Sequence, residues 1–338
     1  MADFDEYREL DAGGALAGLD LPAIATVRRL KGHASTRRFF RLGTAHGVSA
    51  ILVVYPEADA SEPLDRFART ARWFAAAGVR VPRVWQRGER ALVMADGGDQ
   101  MLDGAPVGDA PRLYRQAMSI VAKLQAHGRR AALPNPGWAL DGERFAFELD
   151  FMEQYALGAW LGAVGDVEAR RALYDELSAR LDGLPRALCH RDFHSRNLMV
   201  HQEFLLVVDF QDAMEGPIFY DAASLLLDNY VDVPAAVVAA SLASAQLRVG
   251  AAHAVDASLR VPEWPRGLGP GNRQAFALTA LQRSLKALGT FGYQVTEGGT
   301  TAYASYAPRT WEYARRLLRE LGWGRYEESL QAFDQLGA

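Results

Sequence analysis

The chain has 338 residues, 49% hydrophobic and 23% charged, with a formal net charge of -4. That balance fits a globular protein of one large or two ordinary domains. It offers no long-range attraction to nucleic acid or an anionic membrane. A single cysteine, Cys189, excludes an internal disulfide and a zinc site built on several cysteines; set in an apolar run, it reads as a small core residue.

In chain order, Met1–Leu10 is acidic and lacks the apolar stretch of a signal peptide. No later segment reaches the ~20 apolar residues of a membrane span, so a cytoplasmic protein is expected. Ala25–Leu30, Arg38–Leu42 and Ser49–Tyr55 are short β-type runs separated by glycine-containing turns. Leu64, Phe67, Ala68, Ala71, Phe74 and Ala75 recur at helical spacing, and Gly78 ends that helix. Two more strands, Arg83–Arg87 and Arg90–Ala95, lead to the break at Asp96-Gly97-Gly98-Asp99.

From Pro111 the pattern turns helical, with helices expected over 111–127, 144–161, 167–181, 220–229, 234–248, 272–288 and 301–321. One β interruption, Ala187–Phe210, contains two apolar runs that read as a hairpin, Leu198–Val200 and Phe204–Phe210. The expected architecture is α+β and two-lobed: a small antiparallel-sheet lobe with one helix over 1–96, and a large, mainly helical lobe over 97–338.

The chemistry concentrates in Cys189-His190-Arg191-Asp192-Phe193-His194-Ser195-Arg196-Asn197, an H-x-D-x-x-x-x-N pattern. Asp209 follows twelve residues after Asn197, at the end of a hydrophobic strand. Phosphoryl transfer needs this set of groups. An Asp takes or orients the proton of the attacking hydroxyl, while an Asn and a second Asp hold Mg²⁺ against the nucleotide phosphates. Asp192 is therefore the candidate base, and Asn197 and Asp209 are the candidate metal ligands. Taken alone, an Asp-Asn pair in a loop is ordinary turn chemistry; the whole pattern in its strand context is not.

The motif, with its continuation Asp209-Phe210-Gln211-Asp212-Ala213, Gly216-Pro217 and Tyr220-Asp221, resembles the aminoglycoside-phosphotransferase/choline-kinase superfamily. Within it, the closest likeness is to the bacterial amino-sugar 1-kinases that phosphorylate N-acetylmuramate and N-acetylglucosamine. Gln282–Phe291, Thr36–Arg41 and Gly78–Pro82 carry the same likeness. The resemblance implies a protein-kinase-like fold, ATP and Mg²⁺ as cofactors, and a sugar hydroxyl as acceptor. It also implies that Gly32, Ser35 and Thr36 belong to a loop over the phosphates, and that Met94 and Asp96 belong to a hinge beside adenine.

Two departures stand out. The third strand, Ile51–Tyr55, has no lysine for the α/β-phosphates, and Arg69 and Arg72 occupy the helix where an acidic partner is expected. An arginine must then supply the cation. Arg38 and Arg41 are the strand candidates, and Arg69 the helix candidate. If none reaches the phosphates, the chain is a slow kinase or a nucleotide-binding pseudokinase. On the acceptor side, His194, Arg196, Gln211 and Asp212 lie close to the catalytic positions in sequence. Arg283 and Lys286, three apart on one helix, read either as a solvated basic face or as a pair for a carboxylate. A polycationic aminoglycoside would want a carboxylate-rich surface, which the arginine-rich last hundred residues do not offer. Another small alcohol remains the alternative acceptor. A monomer that binds neither nucleic acid nor membrane is expected.

Overall fold

The computed structural model describes residues 2–30, 36–57, 59–163, 165–244, 258–260, 262–263 and 268–337. It divides into two units. Met1–Gln100 with Met199–Gln211 form the first, and Met101–Leu198 with Asp212–Ala338 form the second. Residues 199–211 thus belong with the first unit, whereas the sequence reading leaves them with the helical part.

In the first unit, β1 (Ile24–Leu30), β2 (Arg38–Thr44), β3 (Ser49–Val54), β4 (Val84–Arg87) and β5 (Ala91–Ala95) form an antiparallel sheet in the order β1-β2-β3-β5-β4. Every residue from Ala50 to Val54 is buried, so β3 is covered on both faces and shows no polar alternation. One cover is α1 (Ala2–Ala12), a helix the sequence reading did not foresee. Its Leu10, with Ala15 and Leu16, joins Phe40, Leu42, Leu52, Val54 and Val93 in one apolar cluster. The other helix, α2 (Ser61–Ala76), buries Leu64, Phe67, Ala71 and Phe74 along one side. Gly78 closes it at φ 72°, a left-handed turn in which Val79 N–H reaches back to the Phe74 carbonyl. The expected hairpin is present as β7 (Leu198–His201) and β8 (Phe204–Val207), and Phe210 beyond it stacks on Phe67 and Phe74.

The second unit is built on α3 (Ala110–Gly128), α4 (Gly142–Met152), α5 (Val167–Asp182), α6 (Tyr220–Leu226), α7 (Ala235–Ser244), α8 (Pro270–Thr296) and α9 (Ala307–Glu320). A two-stranded ladder pairs β6 (Arg186–Cys189) with β9 (Met214–Pro217). The expected helix over 144–161 is real but changes character, running on past α4 as π-helical turns over Glu153–Trp160. The helix expected over 301–321 instead opens as a 3₁₀ segment and becomes α-helical at Ala307, beside Pro308. Helix α8 is the longest and is buried nearly all round from Gln274 to Gly292, the mark of a central core helix. A Cβ on Gly292 would sit 2.6 Å from Ala156 Cα, so glycine is what lets α8 approach the π-helical backbone. No described helix is long and apolar enough to cross a membrane.

Candidate active site

In the second unit, β6 ends at Cys189 and the chain turns into the loop His190–Asn197. The turn is sharp: Arg191 adopts φ 84°, a left-handed conformation costly for any residue that carries a Cβ. Two buried carboxylates hold it. Asp221 of α6 accepts the backbone N–H of His190 at 2.7 Å and that of Arg191 at 3.0 Å. Asp228, just past α6, accepts the N–H of Ser195 at 2.7 Å and that of Tyr230 at 2.8 Å. Burial pushes both carboxyls up in pKa, although these N–H donors oppose it. Inside the loop, Asn197 Nδ2 donates to the Asp192 carbonyl at 2.8 Å, so the two candidate functional residues brace each other.

The Asp192 carboxylate meets two cations from α8. Lys286 Nζ lies 2.9 Å from Oδ1, and Arg283 Nη1 lies 3.5 Å from the same oxygen. Burial raises the Asp192 pKa, but Lys286, Arg283 and Arg191 outweigh it and hold the carboxyl well below its ordinary range. Burial brings Lys286 down from the usual lysine range while Asp192 opposes the fall. Arg283 is fixed from behind: it donates to Tyr220 Oη at 3.1 Å and to Ser224 Oγ at 2.9 Å. Arg191 faces Glu148 at 3.7 Å, and Glu148 accepts from Gln282 at 2.6 Å. The expectation of a solvated basic face at Arg283 and Lys286 is corrected here. Both are largely buried, and both address the candidate base.

Asp209 belongs to the first unit, at φ 60°, a conformation that Asp tolerates better than most residues. Its Oδ1 accepts from Arg37 Nη2 at 3.1 Å and from Gln211 Nε2 at 3.0 Å. Arg37 also lies over the rings of Phe39 and Tyr55. The two arginines favoured from the sequence have other partners. Arg38 faces Glu6 at 3.5 Å. Arg41 grips Asp96, with Nε 2.6 Å from Oδ2 and Nη2 donating to Oδ1 at 2.9 Å, and it also reaches Asp99. Ser49 Oγ donates to Asp96 as well. Asp96 is thus a brace at the end of β5, with Met94 half-buried two residues before it. Thr36 is exposed; Gly32 and Ser35 lie outside the described residues.

The remaining acceptor candidates divide. His194 is half-buried, and burial around its ring holds it down to about 3, the neutral imidazole; the ring is edge-on to Tyr230. Arg196 pairs with Asp103 at 3.0 Å, donates to Tyr306 Oη at 2.6 Å and stacks over Tyr230. Gln211 is spent on Asp209. Asp212 opens the second unit's last segment, close enough to Arg191 to support its charge. Sequence reasoning gave no role to Arg37, Glu148, Asp221 or Asp228. Of these Arg37 and Asp221 carried a signal, through the Thr36–Arg41 stretch and the Tyr220-Asp221 pair, and neither signal named a partner.

The donors suit a hard cation. Asn197 spends its amide N–H on the loop and leaves Oδ1 open, and Asp209 keeps Oδ2 without a hydrogen bond among the described residues. Both are the neutral or anionic oxygens that Mg²⁺ takes.

A model of the phosphotransferase enzyme family of the aminoglycoside-phosphotransferase type matches residues 26–263. The N-acetylmuramate/N-acetylglucosamine kinase of Pseudomonas aeruginosa is 31% identical over 301 residues, covering 86% of this chain and 84% of that protein. A choline/ethanolamine kinase family protein from Mesorhizobium loti shares the fold at a TM-score of 0.60 and 16% identity, over 98% of this chain and 99% of its own. An amicoumacin kinase solved with AMP-PNP and Ca²⁺ does so at a TM-score of 0.59 and 15% identity, over 94% of each chain.

Proposed function

The chain belongs to the phosphotransferase enzyme family, and on that premise we propose that it moves the γ-phosphate of ATP to the anomeric hydroxyl of N-acetylmuramate or N-acetylglucosamine. The observation that carries the phosphotransfer reading is the His190–Asn197 loop. Its backbone is tied by Asp221 and Asp228, and its Asp192 carboxylate is kept ionised by two cations. The likeness to the Pseudomonas aeruginosa kinase supports the acceptor class.

In this reading Asp192 receives the proton of the acceptor hydroxyl. The new O–P bond forms at the γ-phosphorus as the bond to the β,γ-bridging oxygen breaks, and its electron pair leaves with ADP. Asn197 and Asp209 are the residues that would hold Mg²⁺, which would supply charge neutralisation on the phosphates. His194, neutral and half-buried, is a wall of the loop and not a proton carrier. Arg37 is the cation that stands in for the absent third-strand lysine. It is the arginine next to Asp209, while Arg38 and Arg41 are engaged with Glu6 and with Asp96.

The test is ATP consumption over a panel of N-acetylmuramate, N-acetylglucosamine, other hexoses and small alcohols, with the phosphate position read by ³¹P and ¹³C NMR. A phosphate on the anomeric carbon is expected, as is a fall on the order of 10³-fold in turnover for Asp192→Asn. Turnover confined to a non-sugar alcohol removes the acceptor assignment, and full activity in Asp192→Asn removes the base.

A further inference from the structure

The Asp192 carboxylate is satisfied on one side only. Oδ1 takes Lys286 and Arg283, whereas Oδ2 has no hydrogen-bond partner among the described residues. Lys286 is the complement. Its ammonium has three N–H donors, and Asp192 is the one acceptor it meets among the described residues. Arg283 offers less outward: Tyr220 and Ser224 take its two terminal nitrogens, its Nε is buried without a hydrogen bond among the described residues, and its side chain is 7% exposed. The base and the lysine therefore sit together as an open acceptor beside an open donor, on adjoining atoms. They match a ligand group in which an O–H stands next to a second oxygen that bears only lone pairs.

Among hydroxyls, the hemiacetal has this arrangement on a single carbon. The anomeric O–H donates to Asp192 Oδ2, and the ring oxygen, bonded to the same carbon, accepts from Lys286 Nζ. An ordinary secondary alcohol with carbon neighbours offers the first contact and not the second. We infer that Lys286 is a specificity-determining residue that reads the ring oxygen beside the reacting hydroxyl, and so selects the anomeric position of a pyranose over its other hydroxyls. Arg283 is a positioning residue, holding Asp192 Oδ1 from behind and leaving Oδ2 to face the acceptor. The inference rests on the sugar acceptor proposed above and adds which atom of it the protein recognises.

The experiment is a two-by-two comparison of kcat/KM. Wild type and Lys286→Met are each assayed on N-acetylglucosamine and on its carbocyclic analogue, in which a methylene replaces the ring oxygen; Lys286→Arg is the charge-retaining control. Intrinsic reactivity differences between the two acceptors cancel between enzymes. Wild type should prefer the pyranose by on the order of ten- to a hundredfold, the range for a hydrogen bond from a charged donor. Lys286→Met should lose most of that preference by losing the pyranose, and Lys286→Arg should recover part of it. Equal preference in wild type and Lys286→Met overturns the inference. So does a wild type that turns over both acceptors equally, a result that stands even if the methionine variant folds poorly. Turnover of neither acceptor, with activity on another alcohol, removes the sugar reading and the inference with it. Pyranose phosphorylation with no dependence on Lys286 sinks the inference alone.

Discussion

Replacing Arg37 by glutamine separates a catalytic cation from a structural one. Its ion pair with Asp209 spans 3.1 Å, but the two side chains are 18% and 42% exposed. Water screens such a pair, and its worth to folding is about 0.2–1 kcal/mol. The glutamine also keeps some cover over Phe39 and Tyr55. If Arg37 faces the phosphates, the chemical cost is larger, because a cation aimed at charge developing in the transition state is worth about 2.7–4 kcal/mol, or ~10²–10³-fold in kcat. Arg41 is the opposite case. It and Asp96 are 15% and 12% exposed and joined through two nitrogens, so Arg41→Gln should cost about 2–3 kcal/mol of stability. Denaturant melts and steady-state kinetics on both variants give the readout. Arg37→Gln should melt within about 1 kcal/mol of wild type and lose turnover. Arg41→Gln should lose stability first. Near-wild-type kcat/KM in Arg37→Gln would refute the assignment and return the search to Arg69.

Two further outcomes follow from buried carboxylates. Asp221→Ala leaves the N–H groups of His190 and Arg191 without their acceptor; after allowing for the burial cost of the charge itself, a loss of about 2–4 kcal/mol is expected in urea unfolding, and a loss under about 1 kcal/mol would mean that the loop is held by other contacts. For Asp96, burial raises the carboxyl, but the hydrogen bonds from Arg41, Ser49 and Gly98 prevail and hold it below its ordinary 3.8. A depressed carboxyl stabilises the fold fully above the unfolded value and loses that contribution as pH falls through the folded one. The stability advantage of wild type over Asp96→Asn should therefore be constant near neutrality and shrink below about pH 4; an advantage that grows on acidification would contradict the sign.

How much of this was legible follows residue by residue. The run Ile51–Val54 and the spacing of Leu64, Phe67, Ala71 and Phe74 gave β3 and α2 directly, since burial is what those patterns record. The H-x-D-x-x-x-x-N loop was legible as a pattern because the hydroxyl activation and metal binding proposed for it restrict residue type and spacing at once. Helix α1 was not, because a short acidic stretch shows its apolar side, Tyr7 and Leu10, only once a sheet lies beneath it. Strands β6 and β9 are four residues each, too short for a period, and pair across an intervening hairpin. Helical periodicity put Arg283 and Lys286 on one face of α8 but could not bury that face. Tyr220, Ser224 and Asp192 bury it, arriving from elsewhere in the chain. Arg37 was passed over for a similar reason: its partner is 172 positions away.

The surroundings of Asp192 explain why so many ionised groups can share one partly buried cluster. Glu148, Asp192 and Asp221 supply three carboxylates; Arg191, Arg283 and Lys286 supply three cations. A buried pair of charges contributes little net stability, yet removing one member strands the other at a cost of about 3–5 kcal/mol. A balanced set therefore fixes geometry more than it adds stability. That is what a left-handed Arg191 requires, because strain of about 1–3 kcal/mol persists only where surrounding contacts over-determine it. Asp221 fixes the loop's backbone, while α8 fixes the carboxylate of Asp192 from behind. The second unit thus holds the carboxylate of its proposed base, Asp192, oriented and ionised without help from a ligand, so in the proposed reaction binding energy from an acceptor need not be spent on arranging it.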